Sequence, residues 1–269
     1  HKMDIADYPA LRALFTEGSE KFESIINLGA RAGVRYSVKD PWVYYQANTI
    51  GNLNLLEMCR EFEVKKFVLA STSSVYGDDT PRPFLESADT NKPLSPYAAS
   101  KKAAEAMTYT YHHLYQIDAT VFRFFTVYGP AGRPDMSVFI FTRSISEGET
   151  LKITGDGGQE RDFTYVEDVA RGVIAGLKPV GYEVINLGND RPVVLMDMIN
   201  MVEDCLEKKA KIEHIAWDAT DVRATWASID KARDLLGWEP QVTIEDGIRL
   251  TVDWYRNNQN WAKDVRPPA

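Results

Sequence analysis

An apolar strand that ends in hydroxyls, a helix with a tyrosine and a lysine four residues apart, then a second apolar strand: this order constrains the fold more than any other feature. The first strand runs from Val64 to Ala70 and is nearly all apolar apart from Lys65 and Lys66. A strand buried on both faces of a parallel sheet has that composition. It leads into Ser71-Thr72-Ser73-Ser74-Val75-Tyr76-Gly77. The helix opens at Ser95-Pro96-Tyr97, with proline in the first turn, where a missing N–H costs little. Ala98, Ala99, Ala103 and Ala104 keep it slim. The second strand is Ala119-Thr120-Val121-Phe122-Arg123-Phe124-Phe125. Helical spacing puts Tyr97 and Lys101 on one face. An ammonium beside a phenol favours the phenolate, so the pair is expected to lower the Tyr97 pKa from its ordinary value near ~10. Such a tyrosine takes a proton from an alcohol and returns it. Alone, Tyr-x-x-x-Lys also fits a surface salt-bridge helix, and Ser71 to Ser74 also fits a Ser/Thr-rich turn; the order of the segments selects the catalytic reading.

Further segments point the same way. Gly129-Pro130-Ala131-Gly132-Arg133-Pro134-Asp135-Met136 is the most specific stretch, followed by Arg161-Asp162-Phe163-Thr164-Tyr165-Val166-Glu167-Asp168 and Leu236-Gly237-Trp238-Glu239-Pro240. With these segments the chain resembles the extended short-chain dehydrogenases/reductases of the NAD-dependent epimerase/dehydratase family. Within them it is most similar to UDP-glucuronate 4-epimerases. The resemblance implies an α/β fold: a Rossmann-like doubly wound parallel sheet with its N-terminal strands missing, and a smaller mixed α/β substrate domain. It assigns residues 1–126 and 162–188 to the dinucleotide and residues 127–161 and 189–269 to the sugar nucleotide. The family's Gly-x-x-Gly-x-x-Gly turn is absent, because Gly29 and Gly33 are followed by no third glycine and no opening helix at the right spacing. At least one βαβ unit, roughly 30 residues, is therefore expected to be lacking.

The resemblance also implies roles. Tyr97 would be the acid–base, Thr72 would share a hydrogen bond with it and the substrate oxygen, and Lys101 would hold the phenolate and the nicotinamide ribose. NAD is the implied cofactor, lying along Asp4, Ile5, Leu28, Gly29, Ala30, Arg31, Asn48, Tyr97, Lys101, Phe124 and Val127. Ser73, Ser74, Thr126 and Arg133 would take a uronic carboxylate, Arg161 and Arg223 the diphosphate, and Asp221 the ribose; Arg35 would meet phosphate or carboxylate. Arg31 and Arg35 also fit exposed loop arginines. Asn48 falls in a stretch expected to be one long helix, Pro41 to Glu63, and Asp168 is expected to cap or orient the helix it begins. Dehydratases carry Asp-Glu where this chain has Ser73-Ser74, and the decarboxylases carry Glu at the second position. The implied reaction is interconversion of UDP-glucuronate and UDP-galacturonate through a 4-keto sugar. UDP-glucose 4-epimerase and UDP-glucuronate decarboxylase are the enzyme alternatives, and a nucleotide-sugar-binding chain without turnover is the other. A homodimer through the helices at Pro41–Glu63 and Tyr97–Tyr115 is implied as well.

Bulk properties exclude other classes. A net charge of −8 argues against a nucleic-acid partner, which calls for a basic face. An anionic substrate would then need local arginines against the global field. Cys59 and Cys205 lie far apart, as free thiols in a reducing cytoplasm do, and the four histidines make no metal-ligand pattern. No apolar run approaches membrane-spanning length and no signal peptide is evident, so a cytoplasmic protein with no metal and no membrane partner is expected.

Overall fold

The computed structural model describes residues 1–18, 21–217 and 222–266. The first half of the chain runs α1 (Tyr8–Glu17), β1 (Ser24–Asn27), α2 (Val34–Lys39), α3 (Trp42–Tyr44), a π-helical segment (Tyr45–Ile50), α4 (Gly51–Glu61), β2 (Lys66–Thr72), α5 (Pro96–Tyr115) and β3 (Asp118–Phe124). Then follow β4 (Thr126–Tyr128), α6 (Ser137–Glu147), β5 (Thr150–Thr154), β6 (Glu160–Tyr165), α7 (Val166–Ala175) and β7 (Tyr182–Leu187). The last elements are β8 (Pro192–Val194), α8 (Leu195–Leu206), β9 (Lys211–Ile215), α9 (Asp230–Leu236) and α10 (Ile244–Ala262).

Strands β1, β2, β3 and β7 form a four-stranded sheet in that order, and every pairing is parallel. Alternation along the strands shows why it is wound on both sides. Phe67, Leu69 and Val121 face a core with Leu55, Leu56, Met58 and Ala104 of α4 and α5. Val68, Phe122 and Ile185 face a second core with Val169, Val173, Ala232 and Trp238, from α7, α9 and the turn after α9. Strands buried on both faces read as apolar runs, as β2 does. The remaining strands make a three-stranded sheet, β4-β6-β8, and a two-stranded sheet, β5-β9. Both pack with α6, α8 and α10 around a third core that includes Phe141, Ile153, Phe163, Ile199 and Val252.

Helix α5 matches its sequence signals. Ser95 Oγ accepts the Ala98 N–H at 3.2 Å, and the helix ends at Gln116 in the left-handed region. One expectation is corrected and one is narrowed. The stretch Pro41 to Glu63 is not one helix, because the π-helical segment at Tyr45–Ile50 interrupts it. Such a bulge widens one turn and re-aims its side chains, commonly beside a functional site. Asp168 does not cap α7; of the two roles expected of it, capping and orienting, it takes the second. Its carboxylate accepts the N–H groups of Gln241 at 3.1 Å and Val242 at 3.0 Å and pairs with Arg171, so it ties the helix to the approach of α10. Among the described residues, no helix is long and apolar enough to cross a membrane.

Candidate active site

The four parallel strands end on one edge, at Asn27, Thr72, Phe124 and Leu187. In open α/β sheets that edge is where ligands bind. Leu28 to Arg31 follow β1 there, Ser73 and Ser74 follow β2, and Thr126 follows β3. Phe124 and Val127, partly buried at the same edge, pack on the core beneath it.

Thr72 is buried at the tip of β2. Its Oγ1 accepts the Ser74 N–H at 3.1 Å and lies 3.2 Å from the Ser74 hydroxyl, so a tight turn holds Ser73 and Ser74 beside it. Thr72 also acts on the Tyr97 phenol, favouring its ionised form. Lys101 is 4% exposed, one helical turn beyond Tyr97. Its Nζ donates to the Ala70 carbonyl at 2.6 Å.

The electrostatics differ from expectation. Burial holds the Tyr97 phenol above its ordinary pKa, opposed by the Thr72 hydroxyl and the positive charge of Arg133. The expected lowering by Lys101 is not what the structure shows, because the ammonium is turned to Ala70 and its own pKa is pulled down to about 8 by burial. Glu105, one further turn along the same face, opposes that pull. Glu105 accepts from Ser71 Oγ at 2.6 Å, Arg123 Nε at 3.0 Å and Arg123 Nη2 at 2.9 Å, all buried. This network binds α5 to β2 and β3 immediately beneath Thr72.

Asn48 lies in the π-helical segment and is 2% exposed. Its Oδ1 accepts the Arg31 N–H at 2.8 Å, and its Nδ2 donates to the Arg31 carbonyl at 3.0 Å and to Ser100 Oγ at 2.9 Å. Ser100 Oγ in turn donates to the Tyr97 carbonyl at 2.7 Å. One amide therefore ties the loop after β1 to the first turn of α5. Tyr44 is buried edge-on to Tyr97, with ring centroids 6.1 Å apart, and its hydroxyl donates to the Ala32 carbonyl at 3.1 Å.

A cleft of about 610 Å³ opens beside this loop, lined by Asp4, Ile5, Gly29, Ala30, Arg31 and Ala47 among others. Gly29 leaves its wall open: a Cβ there would stand 3.1 Å from Ile5 Cδ1. Behind Gly29, the buried Asn27 Oδ1 has no hydrogen-bond partner among the described residues. An elongated ligand carrying donors fits this wall, so the residues present suit part of a dinucleotide.

The arginines separate into groups. Arg133 stands by Tyr97 and forks onto Asp135, Nε to Oδ1 at 3.0 Å and Nη2 to Oδ2 at 2.5 Å. Arg35 Nη2 donates to Thr154 Oγ1 at 3.3 Å, across to β5. Arg161 Nη1 donates to the Glu160 and Arg223 carbonyls at 2.8 Å and 3.4 Å, bringing Arg161 next to Arg223. Asp221 lies outside the described residues. Tyr44, Ser100, Glu105 and Asp135 are neighbours of the site that the sequence reading did not single out. Two had a signal: Ser100 is three residues beyond Tyr97 and Glu105 four beyond Lys101, on the same stretch of helix.

A parallel sheet, a tyrosine, lysine and threonine at its ligand edge, and a glycine-walled cleft alongside define an enzyme that uses a dinucleotide to act on an alcohol. The NAD dependent epimerase/dehydratase family model matches residues 1–188. A UDP-glucuronate 4-epimerase of Thermodesulfobacterium geofontis is 51% identical over 267 residues, 99% of this chain and 82% of that protein. An epimerase of Methanothermobacter thermautotrophicus superposes with a TM-score of 0.93 at 30% identity, covering 100% of this chain and 81% of that one. The UDP-glucuronic acid 4-epimerase of Bacillus cereus, solved with UDP-glucuronic acid and NAD, superposes with a TM-score of 0.85 at 34% identity, covering 96% of this chain and 79% of that one. The chain belongs to the NAD dependent epimerase/dehydratase family, and its cofactor is NAD.

Proposed function

We propose that the protein is a sugar-nucleotide 4-epimerase that interconverts UDP-glucuronate and UDP-galacturonate. The observation that carries this reading is the surroundings of the catalytic phenol. Arg133 acts on Tyr97 from one side, while Thr72, Ser73 and Ser74 bring hydroxyls and no carboxylate. A uronic carboxylate can be held there by a cation and hydroxyls, and no acidic side chain stands at Ser73 or Ser74 to drive elimination. The epimerases of Thermodesulfobacterium geofontis and Bacillus cereus support the same substrate.

NAD bound along its assigned residues would supply the hydride acceptor and donor for the sugar C4, so no second substrate would be consumed. Tyr97 takes the proton of the 4-hydroxyl and gives it back. Thr72 donates to the phenolate oxygen, and Arg133 supplies positive charge that favours this form. Asp4, Ile5, Leu28, Gly29, Ala30, Arg31, Asn48, Lys101, Phe124 and Val127 are assigned to the cofactor. Ser73, Ser74, Thr126 and Arg133 are assigned to the uronate, and Arg161, Arg223, Arg35 and Asp221 to the rest of the nucleotide. The dinucleotide goes with residues 1–126 and 162–188 and the sugar with 127–161 and 189–269, a division supported by the membership of β1, β2, β3 and β7 in one sheet.

The assembly is a homodimer through the α3–α4 segment and α5. Its support is the apolar surface left there, with Trp42 81%, Leu114 60% and Tyr45 40% exposed. The protein is cytoplasmic, a reading supported by two free cysteines.

The test is product identification by NMR after incubation with NAD and either UDP-glucuronate or UDP-glucose. UDP-galacturonate is the expected product. A UDP-pentose would make the enzyme a decarboxylase, and turnover of UDP-glucose alone would remove the uronate. Tyr97→Phe is expected to abolish turnover while UDP binding survives.

A further inference from the structure

The ion pair of Arg133 with Asp135 occupies an unusual place. Asp135 lies two residues before α6, next to the N-cap position at Met136. Helix α6 has no side-chain cap, and the carboxylate turns to the guanidinium instead. The contact is a fork, the geometry in which arginine grips any carboxylate. Both partners reach solvent, their side chains being 45% and 31% exposed, so the pair sits at the mouth of the site and not in its floor. Asp135 also borders the loop after β1: its Oδ2 lies 3.7 Å from where a Gly33 Cβ would stand.

A uronate that binds Arg133 therefore meets a carboxylate already in place. Epimerisation adds a second demand. The keto sugar must present both faces in turn, and a carboxylate gripped throughout would tether it. We propose that Asp135 is the exchange partner of Arg133, yielding the guanidinium to the uronate on binding and taking it back when the sugar turns or leaves. The inference rests on the uronate reading above. An exposed ion pair contributes little, so trading one carboxylate for another is nearly neutral in free energy. A neutral hexose offers no carboxylate to trade, and Arg133 stays locked on Asp135. Asp135 is thus a positioning residue that helps set specificity.

The experiment uses the NAD-loaded enzyme with Asp135→Asn and, as a second shape, Asp135→Ser. Affinity is measured by titration with UDP-glucuronate, UDP-galacturonate, UDP-glucose and UDP, and turnover with UDP-glucuronate. With the competitor removed, both uronates should bind about two- to fivefold tighter. kcat should fall by a similar factor, and UDP-glucose and UDP should bind as before. An equal shift for UDP-glucose, or weaker uronate binding in both variants, overturns the exchange role and leaves Asp135 a structural strut. Arg133→Met separates the two levels of the argument. If uronates keep their advantage over UDP-glucose in that variant, the uronate reading itself falls. If they lose it while the Asp135 variants behave as wild type, only the exchange role falls.

Discussion

Glu105→Gln is the substitution whose consequence follows most directly from the coordinates. Glu105 and Arg123 are each 3% exposed, and the carboxylate accepts three hydrogen bonds, two of them from the guanidinium. Removing one partner of a buried pair strands the other charge, a loss of about 3–5 kcal/mol. Arg123 keeps two contacts, its Nη1 bond to the Glu86 carbonyl at 3.2 Å and the face of Tyr76 at 4.8 Å, which places the cost near the lower end. About 3 kcal/mol corresponds to a fall in Tm of roughly 6–12 °C for a chain of this size. Urea unfolding monitored by circular dichroism measures it. The double variant Glu105→Met with Arg123→Met removes both charges together and should recover most of the loss, since apolar replacement of a buried pair is often neutral. A loss below about 1 kcal/mol in the single variant, or a double variant worse than the sum of the two single ones, would refute the reasoning.

Two further predictions concern the site. Burial lowers the Lys101 pKa to about 8 in the fold against 10.5 ordinarily, so between those values the unfolded chain holds the extra proton and stability rises with pH. From pH 7 to 9.5 the wild type should therefore gain about 2 kcal/mol relative to Lys101→Met, read from urea midpoints; a pH-independent gap would sink the assignment. Asn48→Ala strips the Arg31 N–H and carbonyl of their partners, at about 1–3 kcal/mol, and loosens the loop after β1. Its NAD affinity should drop about tenfold in titration while UDP affinity holds, and unchanged NAD binding would count against the cofactor cleft.

What is legible in the sequence follows the range of the forces involved. Helix α5 is legible because its signals are local: Pro96 in the first turn, the alanines that keep it slim, and the four-residue spacing of Tyr97 and Lys101. Strand β2 is legible because burial on both faces leaves an apolar run. Segments that carry Thr72, Tyr97 and Lys101 to one edge are readable as motifs. Their electrostatics are not, because the Tyr97 pKa is governed by burial and by Arg133, a residue 36 positions away whose approach depends on the tertiary fold. Asp168 misleads for a similar reason. An acidic residue in the first turn of a helix looks like a local cap, yet its partners are Gln241 and Val242. The π-helical turn leaves no mark in hydrophobic spacing, since Asn48 is held by bonds to Arg31 and Ser100 that exist only once the layers pack.

That widened turn makes the length of the Tyr45–Ile50 stretch matter as much as its composition. Deleting a single residue there would let the backbone relax into an ordinary helix, with α4 keeping its seat on the sheet. The flanking turns would keep their faces, but the turn between them would lose its width. The amide lies inside that turn and would lose its aim at Arg31 and Ser100. Insertions and deletions at this point should be far less tolerated than substitutions, although the stretch looks like unremarkable helix on paper.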